Sequence, residues 1–202
     1  EIGPGLVPPL VWLLALAQLL EPLDEDEDYI PLSKEKAGVL ATYGVNRVSV
    51  GVQTTSRTLL SSLGRNADPE DVPRTCERLG AAGISDLGAD LIYGIPGQRE
   101  SDFARDLQAI AAAGVGHVSA YALTVEEGSR LKADSAPPAD DGLMVAMWHL
   151  AGDVLAEYGL RRYEVSNFAK PGSECDHNMA IWHGGTYAGC GPAAAACDGV
   201  DR

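Results

Sequence analysis

Two segments of this 202-residue chain constrain its fold more than any others. Gly44-Val-Asn-Arg-Val-Ser-Val-Gly-Val-Gln53 and Gly88-Ala-Asp-Leu-Ile-Tyr-Gly-Ile-Pro-Gly-Gln98 are each an apolar run that closes on polar residues and glycines. In the first, Val48, Val50 and Val52 fall on one face, because successive side chains of a strand point to opposite sides. Ligands of parallel sheets collect at the carboxyl ends of strands. The two runs therefore read as barrel strands whose ends build a ligand site.

Helix and turn signals separate these runs. Ser33 caps a helix through Tyr43, closed by Gly44, and a strand follows over 46–52. A short helix runs from Ser56 to Leu63. Asp68-Pro-Glu-Asp71 opens another that reaches Ala82, with Asp68 as its cap. The second strand spans 84–93, and Gly94-Ile-Pro-Gly97 is a turn. A helix from Ser101 to Ala113 leads to a third strand over 117–124. The longest helix covers 140–158, and a fourth strand is expected over 161–166. Strands alternating with helices of this length predict βαβ units and a parallel sheet. The polar strand ends, Gln53, the Asp90–Gln98 segment, Thr124 with Glu126, and Asn167, suit a barrel mouth. An open doubly wound sheet is the alternative, and no glycine-rich dinucleotide fingerprint supports it.

Charge narrows the partners. Lys and Arg number 15 against 29 Asp and Glu, a formal charge of −14. Phosphate binding needs clustered cations, so nucleic acid and anionic membrane surfaces are disfavoured. The four cysteines, Cys76, Cys175, Cys190 and Cys197, lack the short spacing of a metal site. They read as thiols of a reducing, cytoplasmic compartment. Residues 1–32 are an atypical apolar and acidic leader, expected outside the core. The apolar stretch Leu10–Leu20 is too short to span a bilayer, and no Lys or Arg precedes it as in a signal peptide. Glu21–Asp28 reads as a solvated acidic linker. The chain begins with Glu1, and a truncated or spliced start is expected.

GVNRVSVGVQ, Leu63-Gly-Arg65, ADLIYGIPGQ, HVSAYALTVEEGS and RRYEVSNFAKPGSECDHN together resemble the radical S-adenosylmethionine (SAM) proteins related to oxygen-independent coproporphyrinogen III oxidase. The YEVSNFAKPG segment, followed by His177, Asn178 and Trp182, points to the haem chaperone (HemW-type) branch. The resemblance covers residues 33–202. It implies an α/β fold: a partial parallel (β/α) barrel, truncated at its amino-terminal side, with an incomplete carboxyl-terminal extension. It also implies SAM contacts at Gln53, Arg65 and Asp90. A guanidinium such as Arg65 grips a carboxylate in a fork, and Asp90 or Gln53 can accept from ribose hydroxyls. Gly94 and Gly97 would let the backbone approach the ligand closely.

For haem, the resemblance implies His177 as the axial ligand of the iron, with Cys175 a weaker candidate. Ile181 stands where the branch carries tyrosine. On residue type alone, Arg65 pairing with a surface carboxylate, Asp90 capping a turn and His177 bonding within a loop stand beside these roles. The family's [4Fe–4S] cluster uses CxxxCxxC, which this sequence does not contain, and Ala195 replaces an expected histidine. The expected function is haem chaperone-like: binding haem or porphyrin and transfer to an acceptor protein, with no nucleic acid and no integral membrane span. The alternatives are oxidative decarboxylation of coproporphyrinogen III and a non-catalytic fragment.

Overall fold

Local capping chemistry starts three of the helices where the sequence signals them. The computed structural model describes residues 32–125, 139–188 and 196–197. The leader through residue 31, Glu126, Cys190 and Ala195 lie outside the described residues. Helix α1 is Lys34–Thr42, and the Ser33 hydroxyl accepts the Lys36 N–H at 3.2 Å. Strand β1 is Arg47–Gln53. Helix α2, Arg57–Ser62, is capped by Ser56. Helix α3 is Asp71–Ala81, and here the expected cap is displaced. Asp68 instead accepts the Glu70 N–H at 3.0 Å and pairs with Arg57 at 2.6 Å, so it closes the turn before the helix. Strand β2 is Asp86–Tyr93, helix α4 Glu100–Ala112, and strand β3 His117–Ala122. Asp140 caps α5, Asp141–Glu157, by accepting the Leu143 N–H at 2.8 Å. Strands β4, Arg161–Arg162, and β5, Asn167–Ala169, and helix α6, Asp176–Trp182, complete the described elements.

The sheet order is β1-β2-β3-β5-β4. Strands β1, β2 and β3 are parallel, as the alternation with helices predicts. The fourth strand is a correction. Instead of one run over 161–166, the chain makes two short strands, and β5 is antiparallel to both β3 and β4. Side chains force the reversal. Glu164 accepts from the Ser166 N–H at 3.1 Å and the Asn167 amide at 2.5 Å, a local bond set that competes with strand extension. Arg162 lies with its guanidinium 3.5 Å from the Trp148 ring and donates to the Val165 carbonyl at 2.9 Å.

Period-2 alternation sorts the sheet into two faces. Val52, Leu91, Tyr93, Val118, Ala120 and Phe168 point to the core. Helices α3, α4 and α5 cover them through Val72, Phe103, Leu107, Met147 and Leu155, among others. Burying a side chain of this size stabilises by roughly 1.5–3 kcal/mol. A second cluster, Ala37, Leu40, Leu79 and Ile84, seats α1. Gly94, at φ 78°, lies against this packing, and a Cβ there would collide with the end of the Met144 side chain. Among the described residues, no helix is long and apolar enough to cross a membrane.

Candidate functional site

The opposite face of the sheet is polar, and the register arranges its residues in rows. Arg47 lies beside Asp86; Ser49 beside Gly88, His117 and Ala169; Gly51 beside Asp90, Ser119 and Asn167. Gln53, Ile92 and Tyr121 follow toward the carboxyl end, on the same alternation.

Asp90 is the centre of this face. It lies inside β2 rather than at its tip, and the Ser49 hydroxyl donates to it at 3.0 Å from β1. Ser119 bonds it from β3, on the other side. Burial pushes the Asp90 carboxyl up from its ordinary value, and the two serines pull against that shift. Among the described residues it forms no ion pair. Beside it, Gly88 is kept bare: a Cβ there would stand 3.0 Å from the Ser49 hydroxyl and 3.6 Å from His117 Nδ1.

Gln53 ends β1 on the neighbouring strand, one register position beyond the Gly51–Asp90 pair. The ladder breaks between Gly51 and Gln53. Gln53 has φ 66°, a left-handed conformation that costs a non-glycine residue roughly 1 kcal/mol. Its amide nitrogen lies over Gly51, where a Cβ would come within 3.0 Å of it. The structure thus brings Gln53 and Asp90 together on adjacent strands. Arg65 lies off the sheet, exposed, in the segment after α2.

The amino-terminal end of the same face holds the segment that leads into α6. Arg47 donates to Asp86 at 2.9 Å and to the carbonyls of Ser173 at 3.1 Å and Glu174 at 3.4 Å. Tyr163 accepts the Cys175 N–H at 3.2 Å and shares a hydrogen bond with His117 Nε2, 2.7 Å away. Burial, with repulsion from Arg47, lowers the His117 pKa to about 4. Cys175 is 1% exposed, and burial pushes its thiol up. Its sulfur caps α6 by accepting the Asn178 N–H at 3.5 Å. His177 is half-buried in the first turn of α6, and Ile181 follows one turn later. Trp182 is 43% exposed, with its ring 6.0 Å from that of Tyr163. His149 is exposed and edge-on to Trp148. Among the described residues, no group of three or more His, Cys, Asp or Glu is placed to hold a metal ion.

Residues 26–110, which include β1, β2 and the Asp90 centre, match the model of the Radical SAM superfamily. The chain carries part of a radical SAM domain. The relatives extend the likeness toward the carboxyl end. Heme chaperone HemW of Mycobacterium tuberculosis is 39% identical over 164 residues, covering 79% of this chain and 42% of that protein. Heme chaperone HemW of Escherichia coli is 34% identical over 153 residues, 75% of this chain and 40% of its own length. The mitochondrial Radical S-adenosyl methionine domain-containing protein 1 of Bos taurus is 34% identical over 166 residues, 80% of this chain and 38% of its own. The chain thus spans less than half the length of these relatives. Among solved structures, coproporphyrinogen III oxidase (HemN) from Escherichia coli, a radical SAM enzyme, superposes with a TM-score of 0.71 over 83% of this chain and 42% of that one, at 20% identity. That likeness establishes the shared α/β architecture of the radical SAM domain.

Reading residue types by motif missed Ser49, Ser119, His117, Tyr163 and Arg47. The signal was present in the alternation: in Arg47-Val-Ser-Val-Gly-Val-Gln53 and His117-Val-Ser-Ala-Tyr121 every second residue is polar, glycine or Tyr.

Proposed function

We propose that this chain is a haem chaperone-like radical SAM protein that binds SAM on the polar face of its sheet and haem at α6. One observation carries the first half: Asp90, a half-buried carboxylate without an ion pair among the described residues, held by serines from both neighbouring strands. Such a group accepts hydrogen bonds from ribose hydroxyls and complements a cationic sulfonium. Gln53 adds an amide on the adjacent strand, and Arg65 supplies the guanidinium for the ligand's carboxylate.

The relatives named as haem chaperones support the second half. His177 is the axial ligand in this reading, because a neutral imidazole binds haem iron well. The cargo then passes to an acceptor protein. The family's [4Fe–4S] cluster would supply the electron that cleaves SAM. The three cysteines among the described residues do not fit such a cluster. Cys76 is buried in α3, Cys175 caps α6, and Cys197 bridges to Tyr187.

Two titrations test the proposal. Calorimetry with SAM should give binding to the full chain that Asp90→Ala removes. Hemin should give a Soret band that shifts on binding and is lost in His177→Ala. Absence of heat with the wild-type chain defeats the SAM half, and a Soret response unchanged by His177→Ala defeats the haem half.

A further inference from the structure

Helix α4 carries an aspartate in its interior, where a short acidic side chain serves the helix poorly. Asp106 is 1% exposed and makes no ion pair among the described residues. Its carboxylate instead accepts three hydrogen bonds: from the Thr54 hydroxyl at 2.8 Å, the Thr55 N–H at 2.8 Å and the Thr55 hydroxyl at 2.5 Å. Thr54 is fully buried, and its hydroxyl accepts the Ser56 N–H at 3.1 Å. All three donors belong to the two residues directly after Gln53. That is where the β1 ladder breaks and the backbone is left-handed. Helix α4 is a rigid base for the clamp, since Phe103, Leu107 and Ile110 are at most 1% exposed.

We infer that Asp106 is the positioning residue for Gln53: by gripping Thr54 and Thr55 it holds Gln53 left-handed and keeps the amide over Gly51 on the polar face. A carboxylate fits this task better than an amide. It accepts from all three donors at once, and neither of its oxygens needs a partner that the segment does not offer. Released from the clamp, Gln53 relaxes toward the extended conformation that a non-glycine residue prefers, and the ladder closes past Gly51. The inference rests on the reading of Gln53 as a ligand contact, and two arms separate the two claims.

The first arm measures SAM dissociation constants by calorimetry on the full chain, with Gln53→Ala, Asp106→Ala and the double variant. Each single change should weaken binding about tenfold, and the double no further, because both remove the same contact. Additive losses, about a hundredfold in the double, overturn the inference and leave Asp106 a plain anchor of α4. Thr55→Val, which keeps the carboxylate and removes one donor, stands in if Asp106→Ala does not fold, and the same non-additivity with Gln53→Ala is expected. The second arm is thermal and needs no ligand. Glycine adopts a positive φ freely, so in a Gln53→Gly background, where losing the clamp relieves no backbone strain, Asp106→Asn should lower Tm by more than it does in the parent. Equal losses in both backgrounds overturn the clamp. If the wild-type chain binds no SAM, the ligand reading fails, and the thermal arm still decides whether Asp106 sets the backbone at Gln53.

Discussion

The polar face of the sheet and helix α6 are both candidate ligand regions, and they are built in opposite ways. Asp90 sits between two serines on a sheet whose reverse side is a packed core, so its position is set by backbone register. Helix α6 is seven residues long and buries none of them. It is fixed at its start, through the Cys175 cap and the Arg47 contacts to Ser173 and Glu174. A site cut into a sheet face is preorganised for a ligand of fixed shape. A helix tethered at one end suits a cargo that arrives and leaves. His117 and Tyr163 stand between the two regions and bond to each other.

The largest effect should divide the regions outright. Asp90→Leu is expected to weaken SAM binding about a hundredfold while leaving the hemin titration unchanged. Its Tm should hold, because a half-buried carboxylate without an ion pair gives up part of its hydration on folding. A fall of Tm with no loss of SAM affinity would make Asp90 structural and erase the contrast.

The next effect is a pH dependence centred on His117. Its folded pKa is lowered from 6.5 to about 4, so the unfolded chain takes up the proton first. Stability present above pH 6.5 is then lost as the pH falls, by roughly 2 kcal/mol between pH 6.5 and 5. Asp90 and Asp106, whose carboxyls are raised by burial, act with the opposite sign in the acidic part of that window. Urea unfolding at several pH values should therefore show a shallower slope in His117→Gln than in the parent, and equal slopes would contradict the assignment.

Arg47→Met should release the 173–174 segment from β1. We expect a loss of about 1–2 kcal/mol in denaturant unfolding, from a side chain that is 11% exposed and bonds two carbonyls and a carboxylate. Hemin affinity should fall about fivefold and SAM affinity should not move. An equal fall in both would mean that the two regions are one site. The smallest effect is at Trp182, where Ala should weaken hemin binding about threefold, with His183→Ala as an unaffected neighbour.

How much of this was legible follows from the range of the interactions. Helices α1, α2 and α5 announced themselves through Ser33, Ser56 and Asp140, whose caps bond within three residues along the chain. The three parallel strands were legible from their valine alternation and flanking glycines. The reversal after Arg162 was not, because it depends on Glu164, on Trp148 and on pairing with β3. The polar face was half visible. Gln53 and Asp90 were found through motifs that the chain shares with a family. Ser49 and Ser119 became functional candidates only once the register set them beside Asp90. The Arg47 contacts join residues 126 and 127 positions apart, a separation at which sequence pattern carries no information.

The central claim is that the face opposite the core receives SAM around Asp90. Amide chemical-shift mapping of the ¹⁵N-labelled full chain with added SAM tests it most directly. The account predicts the largest shifts at Ser49, Gly51, Asp90, Ser119 and Tyr121, with α6 silent. Shifts centred on α6 or on the outer helices, or none at all, would contradict it.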